Sequence, residues 1–197
     1  MPLIRDEFIR SDVRLAIWHI TEEVGDFVVP RQLDLSTMHS ESRKKEVSAV
    51  HALLAHMTGD DNLVIDYNKI GRPEVLGWKL SVSHTKGWAA LILSKTRTVA
   101  IDIEYVSDRV TRVADRFLRS DEKKDSLFCQ LVSWSAKETV YKLLSEERLQ
   151  YFEMRMKPFD ESARGTVEVE DLKNPKSVMV DFEINDDFVL TYAAGID

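Results

Sequence analysis

A single cysteine, Cys129, stands in a chain of 197 residues. No internal disulfide can form and a cysteine-based zinc cage is excluded, which points to a reducing compartment. Long apolar runs are missing too. No segment approaches the roughly 20 apolar residues of a membrane span, and the opening MPLIRDEF is charged, without the apolar stretch of a signal peptide. The chain is therefore expected to be soluble and cytoplasmic, with no membrane partner. Excess positive charge is also lacking: the formal net charge is −7. That argues against a nucleic-acid partner and means that any phosphate site must be built locally, from clustered Arg and Lys or from a metal. The histidines are scattered (His19, His39, His51, His56, His84), and the five-residue step from His51 to His56 is wrong for one ligand face of a helix.

What is present is globular. A hydrophobic content of 44% and a charged content of 31% leave no case for general disorder, and neither a low-complexity tract nor a Gly/Ser linker interrupts the chain. DVRLAIWH (12–19) alternates as a strand. HSESRKKEVSAVHALLAHM (39–57) is apolar at helical spacing, with Ser40 or Ser42 as a cap and Gly59 beyond its end. LVIDY (63–67) reads as a short strand, and LSVSHT, WAALILS and TVAIDIEY as a meander turning first at Lys86-Gly87. Two helices follow, DRVTRVADRFLR with Arg109, Arg112, Arg116 and Arg119 in a stripe, and LVSWSAKETVYKLL, apolar on most of its circumference. SVMVDFEI and FVLTYAAGI close the chain as a hairpin turning at Asn185-Asp186-Asp187. The fold class is α+β with antiparallel sheets.

VAIDIEY (99–105) sets the chemical question. In a strand, Val99, Ile101 and Ile103 face one way and Ala100, Asp102 and Glu104 the other. The two carboxylates then stand about 6–7 Å apart, close enough to share one hard cation. On spacing alone, the wet face of a half-buried strand is the more ordinary explanation of them. Glu138 offers a third acid on an otherwise apolar helix, yet Glu138 and Lys142 also have the i, i+4 spacing of a surface ion pair. GRP (71–73) puts Arg72 in a turn, where its fork suits a phosphate, and SVSHT puts Ser83 and His84 at a strand end.

Taken in order, GRP, SVSHT, VAIDIE and WSAKETVYK, with RVTRVADRFLRSDE between the last two, resemble the 4′-phosphopantetheinyl transferase superfamily, and most closely its surfactin-synthetase-activating (Sfp) type. The resemblance covers roughly residues 71–142. It implies Mg²⁺-dependent transfer of the phosphopantetheine arm of coenzyme A to a serine of an apo acyl or peptidyl carrier protein, releasing 3′,5′-ADP. It also implies two similar α+β subdomains related by a pseudo-twofold, 1–98 and 99–197, with coenzyme A in the cleft between them and the enzyme acting as a monomer. By motif, the metal ligands fall on Asp102, Glu104 and Glu138. Glu138 takes the serine proton, directly or through a metal-bound water, with Glu122 of RSDE as the alternative base. Lys142 contacts the pyrophosphate, His84 and Ser83 bind phosphates, with His84 assisting the leaving group, and Arg72 helps hold the nucleotide.

Three positions depart from the family pattern: Ala100 for a glycine, Thr85 for a second serine, and His51 for an arginine that meets the 3′-phosphate. A neutral histidine weakens that contact and leaves Arg43, Lys44 and Arg72 to compensate. The rival reading is an inactive family member that binds coenzyme A or a carrier. The arginine stripe is the expected basic surface for an acidic carrier, with Lys123 and Lys124 next in line.

Overall fold

The computed structural model describes residues 2–122 and 125–195, so Lys123 and Lys124 lie outside the described residues. The chain divides into two compact units, one reaching to Val99 and the other spanning Ala100–Gly195.

The first unit contains β1 (Leu3–Arg10), β2 (Val13–His19), α1 (Glu41–Thr58), β3 (Asp66–Tyr67), β4 (Pro73–Glu74), β5 (Lys79–Thr85) and β6 (Trp88–Ser94). Its main sheet runs β1-β2-β6-β5, antiparallel throughout, and β3 and β4 form a separate small hairpin. The Ser40 side chain accepts from the Arg43 N–H at 3.3 Å to start α1. Gly59, at φ +75°, ends it with its N–H on Ala55 O, the left-handed cap that glycine adopts without a Cβ penalty. The apolar face of α1 (Ala49, Val50, Leu53, Leu54, Met57) then packs with Ala16, Leu91 and Leu93 of the sheet into one core.

The second unit contains β7 (Val99–Tyr105), α2 (Leu127–Leu143), β8 (Met154–Met156), β9 (Arg164–Asp171), β10 (Lys176–Ile184) and β11 (Phe188–Ala194). The sheet order is β7-β11-β10-β9-β8, and β8 to β11 pair antiparallel in sequence. Asn185 Oδ1 accepts the N–H groups of Asp187 and Phe188 and so builds the expected turn between β10 and β11. Along α2, Val132, Ala136, Val140 and Leu143 enter a core with Val169, Val180, Phe182 and Val189. The chain is thus mixed α and β with antiparallel sheets and few helices. Among the described residues no helix is long and apolar enough to cross a membrane.

Three expectations fail. β7 does not extend the β5–β6 hairpin into a meander, because β2 takes the free edge of β6 while β7 lies beside β11. Residues Asp108–Arg116 form a 3₁₀ helix instead of an α-helix. The β-branched Val110, Thr111 and Val113 disfavour α-helical packing there. At three residues per turn, Arg109 and Arg112 share one edge while Arg116 moves to another. Arg119 falls outside the helix and donates to Asp121 Oδ1 (2.9 Å) and Phe152 O (2.6 Å), so the four arginines do not form one stripe. Tyr141, on the helix read as apolar over most of its circumference, is 44% exposed.

Candidate functional site

β7 decides the question of the paired carboxylates. Five of its seven residues are buried, and Asp102 is only 3% exposed. Its second face is not wet, because α2 covers it. Ala100 joins the core beneath α2, and Asp102 meets the helix directly. Asp102 Oδ1 accepts from Lys142 Nζ at 2.8 Å and Oδ2 from Ser135 Oγ at 2.9 Å. Ser135 Oγ lies 2.9 Å from Thr191 Oγ1, which in turn lies 2.6 Å from Thr139 Oγ1, so a chain of hydroxyls braces the buried acid. Lys142 also donates to Ile101 O at 3.0 Å. It therefore pairs with the strand, and the i, i+4 link to Glu138 is not made.

Glu104 and Glu138 each hold an aromatic partner. Trp134 Nε1 donates to Glu104 Oε1 at 2.9 Å, and the Tyr151 hydroxyl donates to Glu138 Oε1 at 2.5 Å. Positions 134, 138 and 142 follow one stripe of α2, which explains how one helix serves all three acids. The acids sense one another. Burial, reinforced by the Asp102 charge, pushes Glu104 up to about 7 against the opposing hydrogen bond from Trp134. Burial also raises Glu138, with the Tyr151 hydrogen bond opposing and the Asp102 charge adding to the shift. Ionised together, three carboxylates with a single lysine among them would leave negative charge uncompensated. Such a hard oxygen donor set fits a divalent cation. Among the described residues, no three His, Cys, Asp or Glu side chains already converge as a preformed metal cage.

The raised Glu104 makes a pH prediction. Between its ordinary value near 4.5 and about 7, folded Glu104 keeps a proton that the unfolded chain has released. Its contribution to stability is full below pH 4.5 and is lost as pH rises through 7. Relative to Glu104→Gln, the metal-free wild type should lose about 1–3 kcal/mol of unfolding free energy between pH 5 and 8. Parallel urea midpoints for the two proteins at both pH values would refute the shift.

Glu122 does not resemble a free base. Its side chain is 1% exposed and pairs with the wholly buried Lys137 at 2.8 Å. Oε2 also accepts the Arg119 N–H (2.8 Å), and Oε1 accepts the Met156 N–H (2.7 Å). Both oxygens are committed to the fold.

In the first unit, the structure brings together Arg43, Glu46 and His84. Arg43 Nη1 contacts His84 Nε2, Glu46 Oε2 lies 3.1 Å from His84 Nδ1, and Arg43 and Glu46 are 3.4 Å apart. Ser83 is buried on β5 next to His84. Lys44 instead pairs with Glu41 on the helix surface at 2.6 Å. Arg72 lies in the loop joining β3 to β4. There Gly71 takes φ +80°, and Asn68 Oδ1 accepts the N–H groups of Ile70 and Arg72. The backbone is therefore fixed by Asn68, and among the described residues the Arg72 guanidinium makes no hydrogen bond or ion pair.

His51 has a different place from the one its motif position suggests. It is 4% exposed. Nδ1 lies 2.8 Å from Val47 O and Nε2 accepts the Ile65 N–H at 3.3 Å, so the ring is neutral and protonated on Nδ1. Burial holds its pKa below the ordinary histidine value. With both nitrogens spent on backbone groups, His51 clips Ile65 to α1, and a phosphate contact does not fit this placement. His51→Arg is accordingly expected to destabilise the protein by at least about 2 kcal/mol, because it buries a guanidinium and orphans the Ile65 N–H. A chemical denaturation midpoint equal to wild type would contradict this.

Trp134, Ser135, Thr191 and Tyr151 are the site residues that motif spacing did not single out. Trp134 was legible, standing one helical turn before Glu138. Tyr151 lies on a short 3₁₀ turn beyond α2 and carried no signal.

Comparison with known proteins bears on this unit. Residues 98–193, just under half of the chain, match the family model of the 4′-phosphopantetheinyl transferase superfamily. The matched span holds Asp102, Glu104, Glu138, Lys142, Trp134 and Tyr151. No match is found among the curated proteins.

Proposed function

We propose that the chain is a Mg²⁺-dependent 4′-phosphopantetheinyl transferase of the surfactin-synthetase-activating type, moving the phosphopantetheine arm from coenzyme A to a serine of an apo acyl or peptidyl carrier protein. The observation that carries this reading is the group of three mutually repelling acids and one lysine on β7 and α2, inside the span that matches the superfamily. Asp102, Glu104 and Glu138 would hold the magnesium. When bound, it supplies charge neutralisation at the coenzyme A pyrophosphate.

The chain's own residues supply the remainder. Lys142, held at 2.8 Å by Asp102 and 27% exposed, stabilises the charge that grows on the 5′-phosphate of the departing 3′,5′-ADP as the pyrophosphate bond breaks. Glu138 takes the proton of the attacking serine, and its pKa, raised by burial, moves it toward the pH of operation. With both Glu122 oxygens committed to backbone N–H groups and Lys137, Glu138 is the better base. Arg43, Ser83, His84 and Arg72 are the proposed contacts to the phosphates of coenzyme A, with Lys44 adding surface charge. Glu46 fixes the His84 ring from Nδ1 while Arg43 meets its Nε2, which groups two of these proposed contacts in one cluster. The exposed Arg109 and Arg112, on one edge of the 3₁₀ helix, offer the carrier a local basic surface on an acidic protein.

Intact-mass spectrometry of apo carrier proteins, incubated with the protein, coenzyme A and Mg²⁺, tests the reading. One added phosphopantetheine per carrier is expected, and none without the metal. The rival reading, an inactive binder of coenzyme A or of a carrier, predicts no mass shift. A chain that gives neither a shift nor Mg²⁺-dependent coenzyme A binding by calorimetry has neither function.

A further inference from the structure

Two of the three acids are gripped by a pair of aromatic rings. The Trp134 and Tyr151 rings pack with centroids 5.3 Å apart, and each gives its polar hydrogen to a carboxylate: the indole N–H to Glu104 and the phenol to Glu138. Trp134 is part of α2 and is wedged by the edge of Phe117, 5.0 Å away. Tyr151 comes from outside the helix, on the short 3₁₀ turn Tyr151–Glu153. It is nonetheless fastened to α2 twice, by its ring on Trp134 and by its carbonyl, which accepts from the buried Lys137 Nζ at 3.3 Å. The hydroxyl is thus delivered to Glu138 Oε1 by a side chain whose two ends are fixed. Glu138 Oε2 has no hydrogen-bond partner among the described residues.

We propose that Tyr151 is a positioning residue for Glu138: its hydroxyl anchors Oε1 and leaves Oε2 as the oxygen that meets the cation or the substrate proton. The inference rests on the transferase reading above. It assigns Tyr151 an effect on metal use and turnover, separate from its ring's part in packing. Loss of the hydroxyl frees the carboxylate to rotate, so a productive orientation has to be found at each turnover. The contacts to coenzyme A proposed above are untouched.

Tyr151→Phe keeps the ring on Trp134 and removes only the hydroxyl. Expected are a kcat for carrier modification about tenfold lower, the scale of losing one hydrogen bond to a charged group, and a several-fold higher Mg²⁺ concentration at half-maximal rate. The KM for coenzyme A should not change. Calorimetry with Mg²⁺ alone should show weaker binding to Tyr151→Phe than to wild type. In a Glu138→Gln background the same change should weaken it no further, since the two residues act as one unit. Tyr151→Met, apolar and of similar length, is expected to show the same split. Wild-type kcat and Mg²⁺ half-saturation in both Tyr151 variants would overturn the role of Tyr151 alone, as would an additive loss in the Glu138→Gln background. A wild-type protein with no Mg²⁺-dependent transfer would overturn the transferase reading and this inference with it.

Discussion

Asp102→Asn is expected to lower transfer to an apo carrier by at least about a hundredfold, the scale on which a group stabilising transition-state charge is felt. Asparagine keeps the shape of the side chain and can keep the bond to Ser135, so the brace through Thr191 and Thr139 survives. What goes is the anion. It neutralises Lys142 and, on the reading proposed here, holds the metal. The effect on stability should be small because two changes oppose each other. Lys142 loses a counter-ion but is 27% exposed and stays hydrated, while Glu104 is relieved of the Asp102 charge that raises its pKa. The measurement is turnover by product mass at saturating coenzyme A and Mg²⁺, beside a denaturation curve. A folded Asp102→Asn protein with near-normal turnover would remove Asp102 from the metal site.

The burial of Asp102 shows where reading the sequence stops. Alternation in VAIDIEY correctly separates Val99, Ile101 and Ile103 from Ala100, Asp102 and Glu104, but alternation cannot say what covers the second face. That depends on α2, which lies more than twenty residues later in the chain. Locally encoded features were legible: the Ser40 and Gly59 caps of α1 and the Asn185 turn each use groups within a few residues. β1 was not, and the reason is physical. Its pairing with β2 shifts register between Leu3 and Arg5 and again between Phe8 and Arg10, so the apolar residues never keep a period of two. β9 carried only the short alternation of Val167 and Val169 between polar neighbours.

The site divides along the same line. Asp102, Glu104, Glu138 and Lys142 form a motif whose members the fold brings to one place, β7 and α2, and family likeness made them visible. His51 shows the limit of that likeness. Position in a motif suggested a phosphate contact, but the environment of the residue is set by Val47 one turn back and Ile65 beyond the helix. The grip of Tyr151 on Glu138 and the neutralisation of Glu122 by Lys137 join residues 13 and 15 positions apart across a helix end. No periodicity encodes such pairs.

Lys137 carries the second large effect expected of a single substitution. Its ammonium is 0% exposed in the middle of α2, yet it is fully engaged: 2.8 Å to Glu122 Oε2, 2.8 Å to Phe117 O and 3.3 Å to Tyr151 O. Burial pulls its pKa below the ordinary lysine value and the Glu122 carboxylate resists that pull. The pair is a junction more than a source of net stability. Through Glu122 it ties the Arg119 and Met156 backbone, and through Lys137 the ends of the segments carrying Phe117 and Tyr151. Removing one partner leaves a buried charge with nothing to balance it, so Lys137→Met is expected to destabilise the protein by about 3–5 kcal/mol. Removing both should hurt less: Lys137→Met with Glu122→Leu replaces the pair by apolar volume and should recover part of that loss. Turnover should stay depressed in the double variant, because the Tyr151 carbonyl has lost its tether to α2 and Glu138 its fixed partner. Urea unfolding of the single and double variants reads the first effect and carrier modification the second. If Lys137→Met unfolds at the wild-type midpoint, the junction does not hold this part of the fold together.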